Sequence, residues 1–166
     1  MTDTPTAPKP RDAVMQIHAY VAGEAKIPGV NRIIKLSSNE GAFGPSPLAI
    51  QAMRDALPTA HRYPDGATGR LRQALARAHG LDAERIVCGA GSDELITLAC
   101  RAYAGPGDEV LYTRHGFLMY PIAAKGVGAA PVIAEETARV ADVDKLLAAV
   151  TERTRILFLA NPNNPT

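Results

Sequence analysis

Hydrophobic positions in the first half of this chain recur at the three- and four-residue spacing of amphipathic helices. This spacing predicts helices over 11–23, 46–57 and 69–79. Ser46 is expected to cap the second helix ahead of Pro47, which suits a first helical position because its missing N–H is no loss there. Gly23, Pro58 and Gly80 are expected to end the three helices. Between them, 33–36 is predicted as a short extended piece and 41–47 as a loop.

From Arg85 onward the pattern changes to short apolar runs that alternate with helical segments. Strands are predicted over 86–88, 109–112, 130–134 and 156–160, and helices over 92–104, 117–125 and 143–150. Strands joined by helices require crossover connections, which make a mostly parallel sheet with helices on both faces. Strands with little polar alternation agree with burial on both faces. The predicted fold class is α/β.

Composition narrows the class of protein further. The chain has 166 residues, with 18 Lys and Arg against 17 Asp and Glu and a formal net charge of +1, so no broad basic field favours a nucleic-acid partner. Its apolar stretches are too short for a membrane span, and its first residues lack the apolar core of a secretory signal. Cys88 and Cys100 fit neither a zinc site nor a disulfide framework. We therefore expect a soluble, cytoplasmic protein.

The end of the sequence suggests an incomplete domain. The last predicted strand leads directly into Asn161-Pro162-Asn163-Asn164-Pro165-Thr166, a strand-to-loop junction whose strand would leave an exposed edge. We expect the chain to be truncated, with residues 1–45 forming an N-terminal arm that carries a short helix. Residues 46–166 are then expected to be the first part of a larger domain.

Candidate chemistry follows the predicted strands, since ligands of open α/β sheets bind beyond the carboxyl ends of the strands. After 86–88, the stretch from Gly89 to Glu94 opens a helix whose free N–H groups could attract a phosphate. The alternative is a tight turn capped by Ser92 or Asp93. It is not the dinucleotide fingerprint, because Glu94 stands where that pattern has its third glycine.

The next two strand ends offer an aromatic ring and an amide. Phe117 could stack on a flat ligand ring, although packing of Phe117 and Tyr120 in the core is the simpler interpretation. His115 is not nominated as catalytic, because no acidic or thiol partner lies near it in sequence. After the last strand, two X-Pro steps stiffen the backbone and could aim an Asn side chain into a cleft.

Taken together, several short motifs resemble the fold type I pyridoxal-phosphate aminotransferases, and most of all their histidinol-phosphate branch. These motifs, in the family's order, are Leu36-Ser37-Ser38-Asn39-Glu40, Phe43-Gly44-Pro45-Ser46-Pro47, Tyr63-Pro64-Asp65, Gly91-Ser92-Asp93-Glu94 and Asn161-Pro162-Asn163-Asn164-Pro165-Thr166. The resemblance covers nearly everything from Arg11 onward. It implies that residues 46–166 are the first part of the pyridoxal-phosphate-binding large domain.

The resemblance also implies roles for residues around pyridoxal 5'-phosphate. The amides of Gly91, Ser92 and Asp93 would hold the cofactor phosphate. Phe117 stands where the family places an aromatic ring stacked on the pyridine ring. Asn164 would hydrogen-bond the phenolic oxygen of the cofactor.

Three further residues are implied to serve the interface and the substrate. Tyr63 would reach across a homodimer interface to the cofactor phosphate of the other subunit, and Asn39 and Phe43 would lie near the substrate. Gly41-Ala42 replaces the commoner Asn-Pro, which leaves the substrate contacts there open. The implied substrates are a small-molecule amino donor and a 2-oxo acid.

The main departure from the family's pattern concerns the lysine that bonds to the cofactor. The chain has Lys9, Lys26, Lys35, Lys125 and Lys145, and none lies in the family's Ser-x-x-Lys context. Lys125 and Lys145 are interpreted as solvated helix residues, so no catalytic residue is named. The parent enzyme is expected to transfer an amino group between L-histidinol phosphate and 2-oxoglutarate in histidine biosynthesis. The alternatives are an aromatic amino acid aminotransferase, a threonine-phosphate decarboxylase and a non-catalytic phosphate-binding remnant.

Overall fold

The computed structural model describes residues 9–20, 28, 29, 34 and 38–166. The chain divides into two compact units, one made of residues 1–19 with 89–166 and the other of residues 20–88. The predicted helix end at Gly23 and most of the extended piece at 33–36 lie outside the described residues. The predicted boundary between residues 45 and 46 falls inside the second unit and stays a prediction.

Helices dominate the described part of the chain. They are α1 Asp12–Met15, α2 Pro47–Ala56, α3 Gly69–His79, α4 Gly91–Tyr103, α5 Met119–Val127 and α6 Val143–Ala148, with 3-10 turns at Leu57–Thr59 and Ala83–Arg85. In that part of the chain, no helix combines the length and the apolar character needed to cross a bilayer.

The first unit is built on a parallel sheet of three strands. These are β1 Glu109–Thr113, β2 Ala130–Ala134 and β3 Thr154–Phe158. Their order is β2-β1-β3, so β1 is central and both of its neighbours run parallel to it. Parallel neighbours bring the carboxyl ends of the strands, and the loops that follow them, to one edge of the sheet.

Both faces of this sheet are covered. On one face, Val110 packs in a cluster with Cys100 of α4 and Ala124 of α5. On the other face, Leu111 packs with Ala134 and with Leu146 of α6. Consecutive residues of β1 thus point into two separate apolar layers, as the pleat requires. The predicted α/β class is confirmed.

The predicted strand at 86–88 is wrong. Ile86 has extended dihedral angles, with φ −104° and ψ 125°, so the local preference for a strand is satisfied. A strand also requires a hydrogen-bonded neighbour, and the sheet of the described residues contains only β1, β2 and β3. The apolar run therefore predicts the extended conformation of Ile86 correctly, but no ladder forms there.

α1 and α6 are shorter than predicted, ending at Met15 and Ala148, and β3 covers Thr154–Phe158 instead of 156–160. α5 is displaced by two residues, because it covers Met119–Val127 instead of 117–125. The later start of α5 has a local cause, because the Gly116 N–H donates to the Thr113 carbonyl at 2.8 Å and closes a turn first. Phe117 therefore lies between this turn and the helix.

The second unit contains α2 and α3, whose predicted start and end signals can be compared with the structure. α2 begins at Pro47 as expected, but the Ser46 side chain makes no capping hydrogen bond, so that part of the prediction is wrong. α3 ends at His79 as predicted, with Gly80 in the left-handed conformation at φ 66°. Its start is stabilised by Asp65, whose carboxylate accepts from the N–H groups of Ala67 and Gly69 at 3.0 and 2.9 Å.

Glu109 is a buried carboxylate at the start of β1, and it should make the stability of the protein depend on pH. It accepts hydrogen bonds from the Thr151 hydroxyl at 2.6 Å and from Arg153 at 2.5 Å. The Thr151 hydrogen bond, more than the Arg153 contacts, holds the pKa of Glu109 below its usual value. A lowered folded-state pKa gives stability that is complete above the unfolded pKa of about 4.3 and is lost as the pH falls through the folded value.

We therefore expect the free energy of unfolding to fall on acidification below about pH 4.3, and to fall less steeply in Glu109→Gln. Urea unfolding at a series of pH values checks this. Glu152→Gln, which removes an exposed carboxylate, is the matched control and should keep the wild-type slope. Equal slopes for Glu109→Gln and the wild type would contradict the expectation.

Candidate active site

The carboxyl edge of the sheet gathers three of the predicted features. The loops after β1 and β3 carry Phe117 and Asn164, and these two strands are neighbours. α4 packs against β3 and α5. Because residues 104–108 return the chain directly to the start of β1, α4 runs opposite to the strands, and its first turn points toward the same edge.

The first turn of α4 has the geometry of an anion site. Gly91 has φ +79°, a left-handed conformation that glycine adopts without strain. The amides of Ser92 and Asp93 lie in the first turn, where helix geometry provides no intrahelical acceptor and the helix dipole is positive. All three residues are exposed. The chemistry of this turn fits a phosphate group.

The Glu94 side chain contacts the residues just before this turn. Its carboxylate folds back and accepts from the Ala90 N–H at 2.5 Å. A Cβ at Gly89 would lie 2.9 Å from the Glu94 Oε2 atom, so the fold-back requires glycine at that position. The two glycines of this turn therefore have different tasks, one conformational and one steric.

Phe117 rests on a group of aromatic side chains. Its ring meets the Tyr120 ring edge-to-face, with centroids 6.1 Å apart and an interplanar angle of 85°. Tyr120 is buried and stacks in parallel on Phe158 at 4.6 Å. An edge-to-face contact covers at most one face of the half-buried Phe117 ring. Stacking of a flat ligand ring on Phe117 stays a prediction.

The loop after β3 is tied to the loop after β1. The peptide bonds Asn161-Pro162 and Asn164-Pro165 are cis. The Asn163 Nδ2 group donates to the His115 carbonyl at 3.2 Å and to the Thr166 hydroxyl at 2.8 Å. The half-buried Asn164 is thus held beside the loop that carries Phe117.

Two ion pairs at this edge were missed from the sequence. Arg114 is paired with Glu135, and His115 with Glu136. The signal for both is the strand register: Thr113 of β1 lies opposite Ala134 of β2, so residues at equal offsets beyond this pair lie side by side. His115 was set aside for lack of an acidic neighbour in sequence, whereas its partner follows the adjacent strand.

Asn39, Phe43 and Tyr63 belong to the second unit. All three are exposed, and the rings of Phe43 and Tyr63 are fully so. Their predicted contacts with substrate and with a second subunit stay predictions.

Lys125 and Lys145 both donate hydrogen bonds to other parts of the first unit. The Lys125 ammonium donates to the Gln16 carbonyl at 3.1 Å, which ties α5 to the segment after α1. Lys145 donates to the Glu136 carbonyl at 3.3 Å and to the Thr137 hydroxyl at 3.0 Å. The interpretation as a solvated helix residue is confirmed for the exposed Lys145, whereas Lys125 is half-buried. Lys26 and Lys35 lie outside the described residues.

A family comparison identifies the class of protein. The family described as aminotransferase class I and II matches residues 31–166. The chain belongs to this family. The family and the fold class inferred from the sequence motifs are confirmed.

Individual relatives point to one branch. The chain is 66% identical over 161 residues to the histidinol-phosphate aminotransferase of Paramagnetospirillum magneticum, covering 97% of this chain and 44% of that protein. It is 60% identical over 159 residues to the enzyme of the same name from Rhodospirillum rubrum, covering 96% and 43%. The chain thus spans less than half the length of these curated relatives.

A solved structure agrees with these sequence relatives. The histidinol-phosphate aminotransferase of Sinorhizobium meliloti, in complex with pyridoxal-5'-phosphate, matches with a TM-score of 0.74 and 32% identity. The match covers 78% of this chain and 35% of that one.

Proposed function

We propose that this chain is the N-terminal part of a pyridoxal-phosphate-dependent aminotransferase acting in histidine biosynthesis. The complete enzyme transfers an amino group between L-histidinol phosphate and 2-oxoglutarate. The observation that carries this proposal is the 66% identity with a histidinol-phosphate aminotransferase across 97% of the chain.

The first unit supplies the proposed cofactor contacts. The amides of Ser92 and Asp93 bind the phosphate, with the dipole of α4 adding attraction for the anion. The Gly91 N–H, which donates to the Gly89 carbonyl at 2.8 Å in the structure, joins them by exchanging that carbonyl for a phosphate oxygen. Phe117, which is half-buried at this edge, stacks on the pyridine ring, and Asn164 donates to the phenolic oxygen. When bound, pyridoxal phosphate supplies an electron sink for amino transfer, and these residues hold and orient it.

The second unit supplies proposed contacts outside that site. Tyr63 reaches the cofactor phosphate of the other subunit of a homodimer, and Asn39 and Phe43 approach the amino donor. Two fully exposed aromatic rings support such contacts, since large rings bury favourably against a partner or ligand. The homodimer is proposed to be cytoplasmic.

The proposal places the cofactor-bonded lysine outside this sequence. None of the five lysines has the family's sequence context, and Lys125 and Lys145 are engaged in structural hydrogen bonds. The relatives, which are more than twice as long as the region matched here, have room for such a lysine in the remainder of their chains. We expect the 166-residue chain alone to bind part of the cofactor and to have no aminotransferase activity.

The test is an assay of the natural gene product together with its intact mass. We expect a protein much heavier than 17.5 kDa that forms glutamate from L-histidinol phosphate and 2-oxoglutarate. We expect kcat/KM for histidinol phosphate to exceed that for phenylalanine by about a hundredfold or more, because a site built for a phosphate loses strongly when none is present. Preference for an aromatic amino acid, or release of CO2 from threonine phosphate, would overturn the substrate assignment. A 17.5 kDa product without turnover would overturn the enzyme assignment.

A further inference from the structure

His115 and Glu136 form a pair that the proposed cofactor contacts do not use. Both follow neighbouring strands at the same offset from the register pair Thr113 and Ala134. The Glu136 side chain is only 3% exposed, whereas that of His115 is 44% exposed. A nearly buried carboxylate needs hydrogen-bond donors to offset its lost hydration, and the loop after β1 supplies them.

Two of these donors come from His115 itself. The backbone N–H of His115 donates to Glu136 Oε1 at 3.0 Å, and its ring Nδ1 lies 2.7 Å from Glu136 Oε2. Burial would raise the pKa of Glu136, but hydrogen bonds from the His115 ring, the His115 N–H and the Thr113 side chain together lower it. The carboxylate is therefore ionised at neutral pH and only accepts, so the His115 Nδ1 carries the proton.

His115 also contacts the loop that follows β3. Its carbonyl accepts from Asn163, the residue before Asn164. Phe117 lies two residues after His115 in the same loop. His115 thus connects the loops that follow β1, β2 and β3, and the first and third of these loops carry the ring and the amide proposed to contact the cofactor.

We propose that His115 is a positioning residue, clamped by Glu136, that fixes the loop bearing Phe117 relative to the loop bearing Asn164. The proposed effect on the cofactor rests on the proposed function. The clamp itself is a property of this chain with or without ligand. Its ring is held by one loop and its carbonyl by another, so loss of the ring contact should loosen both.

The exposed pair Arg114 and Glu135 provides a matched control. It joins the same two loops one residue closer to the strands, but its side chains are 50% and 57% exposed. Exposed pairs contribute little to stability, whereas hydrogen bonds to a buried charge contribute much more. Comparing the two pairs therefore distinguishes a clamp formed by His115 and Glu136 from a general effect of removing a charge at this edge of the sheet.

The first measurement is amide hydrogen exchange of residues 115–117 in the cofactor-free gene product. We expect His115→Leu to speed this exchange by about tenfold, the size of one charge-assisted hydrogen bond. His115→Asn, whose side-chain amide can replace the Nδ1 donor, should restore exchange to within about threefold. Glu135→Gln should leave it within about twofold.

The second measurement is made with pyridoxal phosphate on the same variants. In His115→Leu we expect weaker cofactor binding, a reduced visible circular dichroism of the bound cofactor and a loss in kcat larger than the change in KM for the amino donor. Exchange in His115→Leu no faster than in Glu135→Gln would overturn the clamp. Wild-type cofactor spectra in His115→Leu would overturn its role in positioning. If the wild type binds no pyridoxal phosphate while exchange still responds, the proposed function fails and the clamp stands.

Discussion

Ser92→Pro is expected to lower the affinity of the gene product for pyridoxal phosphate by about a hundredfold, and Ser92→Ala by about tenfold or less. Alanine removes only the hydroxyl, whereas proline also removes the backbone N–H proposed to bind the phosphate. A hydrogen bond to a charged group contributes about 1.5–3 kcal/mol, and each 1.4 kcal/mol is tenfold in affinity. Proline at this position removes no intrahelical hydrogen bond, because the N–H groups of the first turn have no intrahelical acceptor. Gly91, which precedes it, is left-handed and not extended, so a native far-ultraviolet circular dichroism spectrum of Ser92→Pro is required before its affinity is interpreted.

A titration of cofactor against visible absorbance measures both variants. The matched control is Val143→Pro, which places proline at the first position of α6, after Asp142 in an extended conformation that suits a residue before proline. It should fold and bind the cofactor as the wild type does. If Ser92→Pro binds within about twofold of Ser92→Ala while its far-ultraviolet circular dichroism is native, the Ser92 amide does not hold the phosphate.

Sequence signals near an element predict it correctly where a particular residue type sets its end. α3 covers the predicted residues 69–79 because Gly80 can adopt the left-handed conformation that ends it. β2 likewise covers the predicted residues 130–134. The segment 86–88 shows the limit of such signals, because its apolar run favours an extended backbone, which Ile86 has, but contains no information about a hydrogen-bonded neighbour.

The residues of the candidate site also divide into those that the sequence predicts and those that it does not. Gly91 and Phe117 could be predicted because each follows an apolar run, where α/β proteins place ligands, whereas Asn164 is implied only by the family resemblance. The pairing of His115 with Glu136 could not be found by looking along the chain near His115. It depends on β1 and β2 being parallel neighbours with Thr113 opposite Ala134, and that register is fixed by packing between the strands and the helices that cover them.

Leu111→Ala is expected to have the largest effect on stability, lowering the free energy of unfolding by about 3–4 kcal/mol. Leu111 is fully buried at the centre of the sheet, where it packs with Ala134 and Leu146. Its strand is hydrogen-bonded on both sides, to β2 and to β3, so the backbone cannot move in to fill the space left by the shorter side chain. A cavity that cannot collapse adds to the lost burial of the leucine.

Leu157→Ala is the matched control, because Leu157 lies opposite Leu111 in the register of β1 and β3 but is 41% exposed. It should cost about 1 kcal/mol, since much of its apolar surface is already in contact with water. Urea unfolding of the two variants and the wild type measures both losses. Equal losses would mean that β1 relaxes around the missing side chain, and that the layer between the sheet and α6 is not the rigid support on which the loops of the candidate site depend.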